Sequence, residues 1–308
     1  MRLQRFSSYF IGIAFVVSAH FFFGTTYACN KMVINQGLDP VLLGLLRMSL
    51  ATVCFFPFYL KTRSQVQLTR NDWLTLLFVG MLAQAAAIVF EYTANSYTTA
   101  SNVAIVLSTD VISTVFLSVL ILHEKLTWAV VLGGLLSLTG VGLVMLDDIR
   151  QFTLHGGQAL LGDCMVLVAV LCWSCYTIGS KKILLKLPIA GVLFWVSLFT
   201  TLGLSIVTLC KGNFATVSHQ PLNVWLIVVY LGICCSGLGH FCYYAALNRL
   251  PTVLVALSLT LPPVFGVAFA IAILNESLTW TQALGAVLIL TGLTYAMWPR
   301  VKSSQDLQ

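Results

Sequence analysis

Residues 124–140 read Glu-Lys-Leu-Thr-Trp-Ala-Val-Val-Leu-Gly-Gly-Leu-Leu-Ser-Leu-Thr-Gly, and residues 276–292 read Glu-Ser-Leu-Thr-Trp-Thr-Gln-Ala-Leu-Gly-Ala-Val-Leu-Ile-Leu-Thr-Gly. The second stretch repeats the first at an offset of 152 residues. Outward from it the same offset pairs Trp73 with Trp225, Gly80 with Gly232, Tyr92 with Tyr244 and Ala94 with Ala246. Nearer the start the offset is about 150. There Phe23-Gly-Thr-Thr-Tyr-Ala-Cys-Asn-Lys31 aligns with Trp173-Ser-Cys-Tyr-Thr-Ile-Gly-Ser-Lys181. A repeat this long points to a chain built twice from one unit.

Composition says what the unit is made of. Of 308 residues, 59% are hydrophobic and 8% charged, with mean hydropathy +0.94. A soluble domain carries about 25% charged residues. So few charges cannot coat soluble domains, which excludes a cytosolic enzyme and a disordered chain. Long apolar runs also argue against an outer-membrane barrel, whose strands alternate. The class is all-α: a polytopic membrane protein. About 20 apolar residues cross a bilayer core. Ten segments fit: roughly 8–32, 40–60, 73–93, 99–122, 127–146, 160–181, 188–210, 223–247, 252–274 and 280–298. Turn and cap residues separate them, as in Asn35-Gln-Gly-Leu-Asp-Pro40 and Arg249-Leu-Pro251. No loop has room for a soluble catalytic domain.

Each repeat holds five helices: one over 1–148, the other over 159–299, with 300–308 as a tail. Five is odd, so the second copy enters from the opposite side. Inverted repeats are one way to build alternating access around a site at their interface. With the N-terminus inside, twelve Lys and Arg lie on the cytoplasmic side. Only Lys31, Arg150 and Lys211 lie on the other, and Arg47 lies within a helix. This bias places both termini in the cytoplasm. The basic start before Tyr9–Phe23 resembles a signal peptide, but no convincing cleavage site follows, so it reads as a retained first helix. The formal charge of +6 forms no patch, so no nucleic-acid partner is expected. Nine cysteines, including Cys172 and Cys175, lie mostly inside apolar runs and read as packing residues. No metal-ligand spacing and no cofactor motif is present.

The segment from Ala245-Ala-Leu-Asn through Leu261-Pro-Pro-Val264 to Gly292 resembles the EamA-type branch of the drug/metabolite transporter superfamily. So does its first-half counterpart, with His123-Glu-Lys-Leu-Thr127 and Gly133–Gly140. Phe22-Phe-Gly-Thr-Thr-Tyr27 resembles that family's opening aromatic-Gly-Ser pattern, and Arg47 stands where the family commonly has an Arg. The resemblance implies ten helices, a central cavity and movement of small organic solutes, often outward. It names no solute. In one respect the chain departs from it. The family often has a proline in the middle of both the fourth and ninth helices. Here the ninth has Pro262-Pro263, and the fourth has Asp110-Val111.

Ionisable residues at membrane depth are costly, about 2.5–3.5 kcal/mol on insertion scales, and mark functional candidates. Asp110, midway along helix four, shares a face with Asn102, Ser113 and Thr114. Two readings stand: it binds a cationic group or carries a proton, or Ser and Thr neighbours hold it neutral and it only packs. Glu91 shares a stripe with Gln84, Asn95 and Thr98. It reads as cavity lining or as an interface carboxylate paired with Arg47. Arg47 itself clamps a substrate carboxylate or serves as a structural counter-ion. His20, with Gly24, Tyr27 and Lys31 on its face, and His240, beside Ser236, Tyr243 and Tyr244, read as proton relays or satisfied buried histidines. Trp173 and Trp195 stack a planar solute or pack. Glu124 and Glu276 read as caps of the helix that follows each, and Pro262 and Pro263 as structural.

The expected function is a secondary transporter, moving an amino-acid or amine-like metabolite outward across a bacterial-type inner membrane, with protons as coupling ion. Its partners are that solute and the bilayer, and its oligomeric state is open. The rivals are an uptake carrier of the same fold, a membrane enzyme acting on lipid, and a non-transporting assembly or regulatory protein.

Overall fold

The structure, a computed structural model, describes residues 2–62, 68–94, 96–98, 103, 106–145, 158–217, 220–274 and 279–305. At 2–7, 27–28, 31, 158–159, 213, 215, 270–274 and 299–305 it describes backbone alone. The described residues are helical throughout, with short turns and no strand. In chain order the helices are α1 (Arg2–Asn35), α2 (Pro40–Thr62), α3 (Arg70–Ala94), α4 (Asp110–Leu122), α5 (Trp128–Val144) and α6 (Gln158–Leu184). Then come α7 (Ile189–Lys211), α8 (Leu222–Arg249), α9 (Thr252–Ser258), α10 (Pro262–Leu274) and α11 (Trp280–Gln305).

Among the described residues, eight helical stretches are long and apolar enough to cross a membrane. Two shorter apolar helices, α4 and α5, lie where the fourth and fifth crossings are expected. The chain is a polytopic membrane protein. Its outer surface is apolar: Trp280, Trp128 and Phe116 are among its most exposed side chains. Bilayer replaces water there, so these residues lose nothing by facing outward.

The expected fourth and ninth helices are each interrupted. Leu259, Thr260 and Leu261 form a turn between α9 and α10. Pro262 and Pro263 cannot donate backbone hydrogen bonds, and a residue before proline avoids the helical region, so α9 stops and α10 restarts at Pro262. In the first half Ser108 and Thr109 form the turn and α4 restarts at Asp110, with no proline. The Thr109 hydroxyl donates to Val106 O at 2.6 Å, satisfying a carbonyl next to the break. The two breaks fall at matching positions of the repeat.

α3 and α8 also match. Each carries a π-helical stretch, Phe78–Ala85 and Leu231–Gly239, containing the paired Gly80 and Gly232. A Cβ at Gly80 would lie 2.7 Å from Phe199 Cβ, and one at Gly232 2.6 Å from Leu50 Cδ1. Only glycine lets α7 and α2 come this close. The Thr200 hydroxyl then reaches the Gly80 carbonyl at 3.0 Å.

Packing between the halves is reciprocal. α1 packs on α8 and α10, and its counterpart α6 packs on α3 and α4. α2 packs on α8 and α7 on α3. The self-paired contacts are α2 on α7 and α5 on α11. In the last pair Gly133 meets Gly292 while Gly140 meets Gly285 and Ile289, so the two helices run antiparallel. Four glycines let the backbones touch, as in membrane helix pairs held by close packing rather than by expulsion of water.

Candidate functional site

Polar side chains meet where the breaks and π stretches come together. From α2, Arg47 is 7% exposed, and the hydrogen bonds described for it run to neutral groups. Nε donates to Ser236 Oγ at 3.2 Å, and an Nη donates to Asn30 Oδ1 at 3.0 Å and lies 3.5 Å from the Tyr92 hydroxyl. Asn30 Nδ2 donates to the same hydroxyl at 3.1 Å. Glu91, one residue before Tyr92, accepts from Trp173 Nε1 at 3.0 Å. Three groups expected from the sequence, Arg47, Glu91 and Trp173, thus lie on one connected wall.

Asp110 opens the restarted α4. Its Oδ1 accepts from Thr114 Oγ1 at 2.9 Å and from Ser174 Oγ of α6 at 2.7 Å. Ser113 also hydrogen-bonds Ser174 and lies 3.2 Å from the Asp110 carbonyl. A carboxylate is favoured in the first turn of a helix, where the dipole is positive. The expected face of Ser113 and Thr114 is present, and Asn102 lies outside the described residues. Asp110 does not sit midway along an unbroken helix, because the turn at Ser108–Thr109 precedes it.

The stripe expected on α3 divides. Gln84 Nε2 lies 3.2 Å from His240 Nε2, and Gln84 Oε1 accepts from Thr200 at 2.7 Å. Thr98 donates to Asp163 Oδ1 at 2.7 Å, and Asn95 lies outside the described residues. The π turn at Gln84 breaks the 3.6-residue period there, and α3 ends at Ala94, before Thr98.

His20 Nε2 lies 2.8 Å from Ser258 Oγ, whose own proton goes to Val255 O at 2.6 Å. Nε2 of His20 therefore carries the hydrogen. Six rings close a loop around this point: His20, Phe23, His240, Tyr176, Tyr244 and Tyr243, with neighbouring centroids 5.3–6.4 Å apart. His20 Nδ1, His240 Nδ1 and the Tyr176 hydroxyl are buried there without a hydrogen-bond partner among the described residues. Beyond the loop, toward the ends of α6 and α8, the Tyr243 hydroxyl meets Thr177 at 2.9 Å and that of Tyr244 meets Ser180 at 2.8 Å. The Tyr27 side chain lies outside the described residues.

Some expectations land elsewhere. Trp195 packs with Tyr59, Trp73, Phe194 and Phe199 beside a cavity of about 190 Å³ lined also by Leu187 and Pro188, apart from Arg47 and Asp110. Glu124 is a cap, but not of the helix that follows it. Its two oxygens accept from the Thr252 and Val253 amides at 2.7 and 2.9 Å, at the start of α9. Thr127 takes the role at α5, accepting from Val130 N. Lys181 holds the other side of the same turn, donating to the Leu247 and Leu250 carbonyls. Glu276 lies outside the described residues. Pro262 and Pro263 open α10.

The sequence pattern of the EamA-like transporter family matches residues 10–146 and again 160–298. The chain belongs to the EamA-like transporter family. This is the branch of the drug/metabolite transporter superfamily that the paired motifs resembled, and its members are transporters rather than enzymes. A similar protein from Escherichia coli (strain K12), named "Probable amino-acid metabolite efflux pump", is 30% identical over 87% of this chain and 89% of that one. An "Uncharacterized transporter" of Clostridium kluyveri is 27% identical over 91% of each chain. A protein of known crystal structure matches with TM-score 0.76 over 95% of this chain and 97% of that one. At 19% identity that likeness carries the fold alone. Ser174, Asn30 and Thr200 are among the polar residues of the site that the sequence did not single out. Ser174 had a signal: it aligns with Gly24 in the repeat.

Proposed function

We propose that this EamA-like protein is a secondary transporter that exports a small amino-acid or amine-like metabolite by alternating access between two inverted five-helix repeats. In this reading the chain crosses a bacterial-type inner membrane ten times, with both termini in the cytoplasm. One observation carries it. A buried guanidinium, Arg47, and a carboxylate, Glu91, lie on one wall inside an apolar bundle, and a second carboxylate within electrostatic reach of Glu91, Asp110, opens the helix after a break. A zwitterion offers a carboxylate to the first and an ammonium to the others. Guanidinium suits a carboxylate because its fork matches two oxygens. Broken helices at membrane depth are tolerated where they line a cavity, and they mark carrier sites. The antiparallel, glycine-matched α5 and α11 support inversion. The name of the Escherichia coli relative supports amino-acid metabolites and the outward direction.

Asp110 is the coupling acid in this reading. Ser174 and Thr114 donate to its ionised form, and a proton from either side of the membrane would remove the charge that they solvate. The experiment is metabolite profiling of cells and spent medium with empty vector, wild type and Asp110→Asn. The expected result is an amine or amino acid enriched in medium and depleted in cells with wild type alone. The opposite partition would make the protein an uptake carrier. No difference for any amine or amino acid supplied would favour a non-transporting membrane protein.

A further inference from the structure

Asp110 and Pro262 occupy equivalent places, each opening the second half of an interrupted helix. What packs on each is also equivalent: Ser174 of α6 on the first, and Gly24 of α1 on the second. Gly24 brings backbone to backbone. A Cβ there would lie 2.5 Å from Phe265 Cβ and 3.2 Å from Pro262 O. At the first break the side chain of Ser174 fills that place and hydrogen-bonds the carboxylate. One junction is therefore built twice, once with an acid and a hydroxyl and once with neither.

Ser174 has a single hydroxyl proton, for which Asp110 Oδ1 and Val170 O compete, and its Oγ is also bonded to the Ser113 hydroxyl and lies 3.0 Å from Thr114 Oγ1. Asp110 Oδ1 lies at 2.7 Å, and Val170 O of its own helix at 3.0 Å. With Asp110 ionised, Ser174 and Thr114 both point at Oδ1, and Ser113 supplies Ser174 Oγ. Hydrogen bonds to a charged acceptor are roughly twice as strong as neutral ones. With Asp110 protonated, the acid donates to Ser174 Oγ and the Ser174 proton turns to Val170 O. The bond between α4 and α6 persists, but it reverses and loses its charge.

We propose that Ser174 is a positioning residue that passes the charge state of Asp110 to α6, so that a proton loosens the first-repeat junction and leaves the Gly24–Pro262 junction unchanged. The inference rests on the reading of Asp110 as the proton-responsive acid. It gives a near-symmetric scaffold one switchable hinge. Other titratable groups face this point. Glu91 on α3 and Tyr243 on α8 are within electrostatic reach of Asp110. α6 carries Cys172, Cys175 and Tyr176 within a turn of Ser174, and α9 carries none. Glu91 is the other carboxylate among them.

The test needs no solute. Amide hydrogen exchange of the full chain in lipid nanodiscs is compared at about pH 5 and about pH 8, corrected for intrinsic rates, since carboxylates titrate across that range. In wild type, exchange over 110–118 and 170–177 rises roughly five- to tenfold at the lower pH, the scale of a charge-assisted bond made neutral. Exchange over 20–26 and 260–268 does not. Ser174→Ala and Ser174→Gly add no atoms, and both flatten the response. Asp110→Asn flattens it too, and Glu91→Gln keeps it. A wild type without the response overturns both this inference and the role given to Asp110. A response that survives in Ser174→Ala but not in Asp110→Asn overturns the part of Ser174 and leaves Asp110 standing. A response lost in Glu91→Gln and kept in Asp110→Asn moves the proton to Glu91 and overturns both.

Discussion

Arg47 shows how this chain handles charge at membrane depth. A buried guanidinium is costly unless every donor finds an acceptor. Asn30, Tyr92 and Ser236 supply acceptors from three other helices, α1, α3 and α8. Asp110 is treated in the same way by Ser174 and Thr114. The shared logic gives a first prediction, for the solute once profiling names it. In proteoliposomes, Asp110→Asn abolishes net flux driven by a pH gradient while exchange of labelled for unlabelled solute continues. Net flux that follows the gradient as in wild type would remove Asp110 from the coupling step. A second prediction concerns Glu124, which receives two amides at the start of α9. Loss of a cap costs about 0.5–2 kcal/mol. Glu124→Ala should therefore lower the unfolding temperature measurably. Thr127→Ala, which removes one longer bond at α5, should lower it less. Equal shifts would mean that the Glu124 contact is weak.

At the scale of elements, glycine and proline decide the geometry. α5 and α11 touch through Gly133, Gly140, Gly285 and Gly292, where added side chains would meet backbone. Gly140→Leu should destabilise the fold by about 1–3 kcal/mol or more, the range seen for overpacking. Gly37→Ala is the comparison: nothing lies near Gly37, although its φ of +90° carries a separate conformational cost. A Gly140→Leu protein as stable as wild type in thermal unfolding would show that the two helices do not need to be this close. Pro262→Ala restores a backbone donor at the start of α10. The expected result is a folded protein with slower transport, read by initial rates, because the interruption can heal into continuous helix. An unchanged rate would separate the break from function. Thr69 and Asp72 illustrate a local rule that needs no tertiary help. They form a reciprocal capping box at the start of α3, to which Lys186 adds an ion pair at 2.6 Å.

For the whole molecule, the reciprocal contacts resemble a two-fold interface folded into one chain. Each repeat packs its first helix on the other's third and fourth. Each unit completes the close packing of the other's helices. Alternating access then needs one end of the bundle to close. In the proposed orientation, the Thr177–Tyr243 and Ser180–Tyr244 contacts lie toward the cytoplasmic end and are the layer proposed to close it. In a background without the nine native cysteines, Thr177→Cys with Tyr243→Cys should form an oxidant-induced crosslink that stops flux, and reductant should restore it. Undiminished flux in the crosslinked protein would show that this layer does not open.

The amino-acid sequence by itself determined the class, the positions of most helices and the doubling. Each depends on local quantities: apolar length against bilayer thickness, turn residues, and self-similarity. It also picked out Asp110, because an acid in an apolar run is visible without coordinates, but the interruption before it carries no proline and was not legible. The tertiary structure decided the partners. Ser174 lies 64 residues from Asp110, and Glu124 caps a helix 128 residues away. The π turn takes Gln84 off the 3.6-residue face of Glu91, and Thr98 lies beyond the end of α3 at Ala94. Pairings of this kind depend on which helices lie side by side, and that is fixed by backbone approach at Gly24, Gly80 and Gly133 rather than by any pattern along the chain.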